Sequence, residues 1–175
     1  MFNQSKIIYT IGHSTKSLED FIQILQSFHI QLLADIRRFP GSRKFPHFNK
    51  DFLSASLKNS GINYIHLEEL GGRRKPLVNS QNNAWRNASF RGYADYMQTN
   101  EFKKAVEQLE KLAQQQLTCY MCSEAVWWRC HRSMVSDYLK TKGWIVMHIM
   151  NKEKAVEHPY TPVAKIIQGN LFYKE

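Results

Sequence analysis

Short apolar runs and amphipathic stretches alternate along this chain from residue 7 to residue 150, and that alternation narrows the available folds more than any other feature. Ile7-Ile8-Tyr9-Thr10-Ile11 is a β-branched and aromatic run that breaks at Gly12, the pattern of a buried strand. Ser17-Leu18-Glu19-Asp20 resembles a capping box, and Phe21, Ile24, Leu25 and Phe28 follow at helical spacing. Leu32 to Ile36 reads as a second strand. A second helix opens at Asn49 or Lys50 and closes at Gly61, a natural C-terminal cap. Ile62 to Leu67 is a third strand, ending at Leu70-Gly71-Gly72. Residues 73–89 are polar and basic, without periodicity, and read as the longest loop. Helical stripes run through Tyr93, Tyr96 and Met97 and then through Phe102, Val106, Leu109 and Leu112, with a break near Thr99-Asn100. Leu117 to Cys122 is a fourth strand, a helix runs from about Cys130 to Gly143, and Trp144 to Met150 is a fifth strand.

Strand and helix in strict alternation predict parallel pairing with right-handed crossovers. The expected fold is therefore α/β: one three-layer domain spanning residues 1–175, with a mostly parallel sheet of about five strands and helices on both faces. Residues 151–175, with Pro159 and Pro162, are expected to wrap back as a tail carrying one short helical turn.

A chain of 175 residues can bury a proper core, and 43% apolar against 22% charged residues excludes wholesale disorder. No stretch approaches the roughly 18 continuous apolar residues of a membrane span. The N-terminal apolar run is too short for a signal peptide, so a cytoplasmic location and no membrane partner are expected. Cys119, Cys122 and Cys130 are an odd number clustered closely, a poor disulfide framework.

The formal charge is +9, and its distribution matters more than its size. All nine arginines (37, 38, 43, 73, 74, 86, 91, 129 and 132) fall after predicted strands two, three or four, or in the first turn beyond. The fifteen lysines are scattered. In an open parallel sheet those connections lie outside the carboxyl ends of the strands, where α/β proteins place ligands. The guanidinium fork suits phosphate or carboxylate. Loops hold long polar residues as a matter of course, but those at the opposite edge, near Ser60, Gln115 and Thr141, hold no arginine. An anion site at one rim of the sheet is expected.

Cys122 to Arg132 joins the fourth strand to its helix. A thiol at a strand end, facing a helix N-terminus with Arg and His nearby, is where a thiolate is favoured. A phosphatase-like loop would place arginine where Trp128 stands; Arg129 is one position too far, and that family is ruled out. A metal site from Cys122, Cys130, His131 and Glu124 matches no common zinc spacing and is not favoured. Cys119 reads as a buried strand residue. For Cys122, core residue and functional thiol are even alternatives.

Other strand ends repeat the theme. His13 after strand one is either a proton carrier or plain surface. Asp35 and Arg37 share a strand face and form either a structural ion pair or an acid–base pair. Gly71-Gly72 allows close backbone approach to a ligand, or simply makes a turn.

Taken together, Thr10-Ile11-Gly12-His13-Ser14, Asp35-Ile36-Arg37 with Pro40 and Ser42, and Tyr64 followed by Leu70-Gly71-Gly72 resemble domain-of-unknown-function family 488. The likeness continues through Tyr93-Ala94, Tyr96-Met97, Cys122 and Glu124, Cys130-His131-Arg132 and His148-Ile149, covering about residues 7–150. It implies an α/β fold and one shared site at the strand ends, and it supplies no reaction. His158 in the tail is a further candidate.

Two functions are expected to compete. In the first, an enzyme acts on a phosphorylated small molecule, nucleotide or nucleic-acid end. Cys122, Glu124, His13, His131 and Asp35 are its candidate catalytic residues, and Ser14, Arg37, Ser42, Arg43, Gly71, Gly72, Arg129 and Arg132 its candidate substrate contacts. Neither GxxxxGK[ST] nor GxGxxG occurs, which disfavours ATP hydrolysis and ordinary dinucleotide chemistry. In the second, a non-catalytic nucleic-acid-binding module uses the basic and aromatic 73–91 loop (Arg73, Arg74, Lys75, Trp85, Arg86, Phe90, Arg91). Neither names a cofactor; a metal is possible but not favoured.

Overall fold

Side-chain caps set the starts of three helices in the computed structural model, which describes residues 6–175. Ser17 Oγ accepts from Asp20 N and opens α1 (Leu18–Ser27). Asn87 Oδ1 accepts from Ser89 N and Phe90 N and opens α3 (Ala88–Tyr96). Thr99 Oγ1 accepts from Phe102 N and opens α4 (Asn100–Gln115), so the expected break at Thr99-Asn100 is a capped helix start. The remaining helices are α2 (Lys50–Asn59) and α5 (Arg132–Thr141). The last begins two residues later than the sequence pattern predicts: Cys130 is extended (φ −136°, ψ 151°), and only His131 turns into helical geometry.

Five strands run parallel: β1 (Ile7–Gly12), β2 (Leu32–Asp35), β3 (Asn63–His66), β4 (Thr118–Cys122) and β5 (Ile145–Asn151). The tail differs from expectation. Instead of a helical turn it supplies β6 (Lys154–Glu157), antiparallel to β5 at the sheet edge, and a hairpin of β7 (Lys165–Ile167) and β8 (Asn170–Phe172). Its β-branched and aromatic residues carry strand propensity that the two prolines overshadow in the sequence. The six-stranded sheet has the order β3-β2-β4-β1-β5-β6.

Burial divides by sheet face. Phe21, Ile24 and Leu25 of α1 pack with Leu53 and Leu57 of α2 on Ile11, Leu33, Cys119 and Met121. On the other face, α3, α4 and α5 bring Tyr93, Phe102, Val106, Met134 and Leu139 onto Ile8, Ala34, Tyr120 and Val146. The chain is one α/β domain of three layers.

Candidate functional site

Strands β1 and β4 are neighbours, but the chains leaving their carboxyl ends diverge, to α1 on one face and to α5 on the other. Such a divergence opens a crevice that packing cannot fill. Backbone bonds tie its two sides together: His13 N donates to Cys122 O at 3.0 Å, and Ser14 N to Ser123 O at 2.9 Å. Gly12 makes this approach achievable, because a Cβ there would lie 1.7 Å from the Glu124 carbonyl oxygen. Ser14 and Arg73, both in the cleft wall, hold left-handed φ values of 49° and 60°. That conformation costs roughly 1–2 kcal/mol for a residue with a Cβ, and such strain concentrates at functional sites.

The cleft encloses about 710 Å³. Arg37, Arg38, Arg73 and Arg129 bring positive charge to its wall, against the single carboxylate of Glu124. Phe39, Phe45, Phe90 and Tyr93 supply aromatic surface, and Cys122, Cys130 and His131 lie on the wall formed by the β4–α5 connection. His13, Ser14, Ser42 and Gly72 complete the predicted residues found there.

Four candidates stand outside the wall. Asp35 is fully buried and accepts from Arg37 N, Arg37 Nε (2.9 Å), Arg37 Nη2 (2.7 Å) and the Tyr64 hydroxyl (2.6 Å), so its carboxylate is committed within the protein. Gly71 lies against Arg38, where a Cβ would meet backbone at 2.6 Å. Arg43 is exposed away from the cleft. Arg132 is 1% exposed and sits behind the β4–α5 connection, its Nη2 donating to Glu124 O and Ala125 O. It forms no ion pair among the described residues, and its Nε has no hydrogen-bond partner. Of the other arginines, Arg74 lies over the Tyr96 ring (3.7 Å) and Arg91 donates to Trp85 O.

His13 stacks on Phe48, donates from Nδ1 to Ser14 O, and receives Arg37 Nη1 at Nε2. Burial lowers its pKa to about 4, so it is a neutral ring with both nitrogens occupied. His131 is arranged differently. Its Nε2 donates to Ile36 O at 3.1 Å, which leaves the Nδ1 lone pair facing Cys130 Sγ at 3.4 Å. Burial lowers the pKa of this ring as well.

The two cleft thiols differ in acidity. Burial pushes the Cys122 thiol well above its ordinary value, and its neighbour Cys130 pushes it further. Burial acts upward on Cys130 too, but the hydrogen bond with Cys122, the Arg132 charge and the Arg132 backbone N–H outweigh it and hold the thiol below its usual range. The two sulfurs lie 2.7 Å apart, and Arg132 N approaches Cys130 Sγ at 3.5 Å. In the sequence Cys130 figures only in the disfavoured metal set and in the family-like run Cys130-His131-Arg132, with no catalytic role assigned to it beside His131. The extended backbone at Cys130 brings them together, and their adjacency was the available signal.

A buried network lies behind the cleft and joins His148 and His158 to Thr10 and Asp137, which carry no signal of it in the sequence. The Thr10 hydroxyl meets His148 Nδ1 (2.6 Å), His148 Nε2 meets His158 Nδ1 (2.9 Å), and His158 Nε2 meets Asp137 (2.8 Å). Thr161 and the Tyr173 hydroxyl also donate to Asp137. His148 is held neutral, its pKa lowered to about 2 by burial and then by His158 and Arg132. Among the described residues, no group of three His, Cys, Asp or Glu could hold a metal ion, and no helix is long and apolar enough to cross a membrane.

Fold and site together define an α/β protein with a basic, thiol-bearing cleft at the topological switch of its sheet. Residues 17–139 match the family described as Domain of unknown function DUF488, and the chain belongs to that family. The match leaves His13 and Ser14 on one side and His148 on the other outside its bounds, narrower than the resemblance over about 7–150. Comparison with curated proteins and with solved structures gave no match.

Proposed function

We propose that this protein is an enzyme that binds a small anionic substrate in the cleft, a phosphorylated metabolite or nucleotide, and attacks it with the thiolate of Cys130. The observation that carries this reading is the surroundings of one sulfur. Cys130 Sγ faces the free lone pair of His131, receives a backbone N–H at the start of α5, and lies near a buried guanidinium that has no carboxylate partner among the described residues. Those are the conditions that lower a thiol pKa and activate it as a nucleophile. The role expected of Cys122 passes to Cys130, because Cys122 keeps its proton.

In this reading His131 Nδ1 takes the thiol proton, and Cys130 Sγ forms a bond to the electrophilic phosphorus or carbonyl carbon. The leaving group departs with the proton returned from His131, and water then cleaves the sulfur-linked intermediate. Arg38, Arg73 and Arg129 hold the anion. Arg37, tied to Asp35 and Phe48 O, shapes the wall and adds to the burial that keeps His13 neutral.

The nucleic-acid alternative finds less support. Stacking needs presented aromatic faces, yet Trp85 packs on Phe90 and Tyr173, and Asp95 pins the loop through Leu77 N, Ser80 and Asn82. The deciding experiment is a turnover screen over phosphate esters and nucleotides with wild-type protein and Cys130→Ala, with mass spectrometry of the trapped protein. An adduct on the Cys130 peptide and loss of turnover in the variant are expected. Wild-type turnover in Cys130→Ala overturns the proposal.

A further inference from the structure

Cys122 has no place in that mechanism, although its sulfur is 2.7 Å from the nucleophile. Both side chains are buried, at 1% and 6% exposure, yet both border the cleft, so a small reagent reaches them by the substrate's route. Both thiols are free. A protonated thiol held against a nucleophilic one is the arrangement in which one sulfur is oxidised and the other resolves it. Cys119 is the internal contrast: it is fully buried on the opposite sheet face, outside the cleft.

We propose that Cys122 and Cys130 form an oxidation site, a reversible dithiol–disulfide pair in which Cys130 is oxidised first and Cys122 resolves it. This rests on the reading of Cys130 as the reactive thiolate. The oxidant is a small hydroperoxide. Cys130 Sγ attacks its terminal oxygen, the O–O bond breaks, and the alcohol or water formed takes a proton, leaving Cys130 as a sulfenic acid. Cys122 Sγ then attacks Cys130 Sγ, the S–O bond breaks, and the hydroxyl leaves as water with the Cys122 proton. Two thiols and one hydroperoxide become one disulfide, one alcohol or water, and one water. A small dithiol reverses the change. In the disulfide the nucleophile is blocked and Arg132 loses its counter-charge, so oxidation switches the cleft off. Protection is the second consequence, since the disulfide intercepts the sulfenic acid before irreversible oxidation to the sulfinic acid.

The test treats the full-length reduced protein with a small excess of hydrogen peroxide at neutral pH, blocks remaining thiols, and maps peptides without reduction. Wild type should lose two hydrogens, yield a linked Cys122–Cys130 peptide, and keep Cys119 as a thiol; a dithiol should restore the starting mass. Cys122→Ser and, as a second variant, Cys122→Ala should gain two oxygens on Cys130 at the same dose. If wild type gains those oxygens as fast as the variants and forms no link, the pairing is wrong while the reactive Cys130 stands. If Cys130 is not oxidised in any of the three proteins, both the pairing and the thiolate reading fall.

Discussion

Trp127 lies flat on His148, with ring centroids 4.5 Å apart and planes 5° from parallel. The contact joins the β4–α5 connection, which carries the cleft thiols, to the buried Thr10–His148–His158–Asp137 network. The tail strand β6 and the hairpin therefore act on the site through packing: His158 follows β6, Tyr173 follows β8, and both end on Asp137.

Asp137→Ala removes the acceptor of four hydrogen bonds from His158, Thr161 and Tyr173 at a fully buried position. Each buried donor left unpaired costs about 1–3 kcal/mol, so the variant should lose about 3 kcal/mol or more. Urea unfolding measures this, and an unchanged midpoint would show the network to be dispensable.

Acid should destabilise the fold well above the range of carboxylate titration. His13 and His148 are neutral in the folded protein, with pKa values lowered to about 4 and about 2, whereas the unfolded chain binds their protons near 6.5. Above that pH neither contributes a slope. Below it the unfolded state takes up protons that the folded state refuses, so stability falls by about 1.4 kcal/mol per pH unit for each histidine. For His13 the decline ends near 4, and for His148 it continues lower. Denaturation midpoints that stay level from about pH 7 to about pH 5 would contradict this.

Arg132→Met should raise the Cys130 pKa. The guanidinium is buried and, among the described residues, pairs with no carboxylate that its removal would strand. The Arg132 charge is among the causes that outweigh burial and hold the Cys130 thiol below its usual range, so removing it lets the pKa rise. The pH profile of Cys130 alkylation should move upward, and a profile that stays in place assigns the thiol's acidity elsewhere.

Charge in the cleft should show in the choice of alkylating agent. Iodoacetate and iodoacetamide differ by one negative charge, and Arg38, Arg73 and Arg129 favour the anion. At low salt Cys130 should react faster with iodoacetate than an exposed model thiol does, relative to iodoacetamide. High salt should erase the preference, since the Debye length falls to about 3 Å at 1 M.

Gly12→Ala places a methyl group 1.7 Å from a backbone oxygen that no rotamer change can move. The β1 end and the thiol-bearing connection must separate, at a cost of about 1–3 kcal/mol and with lost Cys130 reactivity. Gly41→Ala, with open space around the position, should leave both unchanged. Equal thermal stability and alkylation rates in the two variants would dismiss the close-approach argument.

What the amino-acid sequence determined by itself was local: apolar runs that become strands, Ser17 as a cap, a helix break near Thr99-Asn100, and arginines placed after strand ends. Those features act between residues a few positions apart, through propensity, capping and periodicity, so they are readable without the fold. The tertiary structure decided the rest. Strand order put β4 beside β1 and opened the crevice; a single extended residue before α5 turned Cys130 toward His131; and packing joined Thr10, Asp137, His148 and His158 across the chain. These depend on which faces are buried together, and burial sets both the proximity and the acidity of groups that carry no local signal of either.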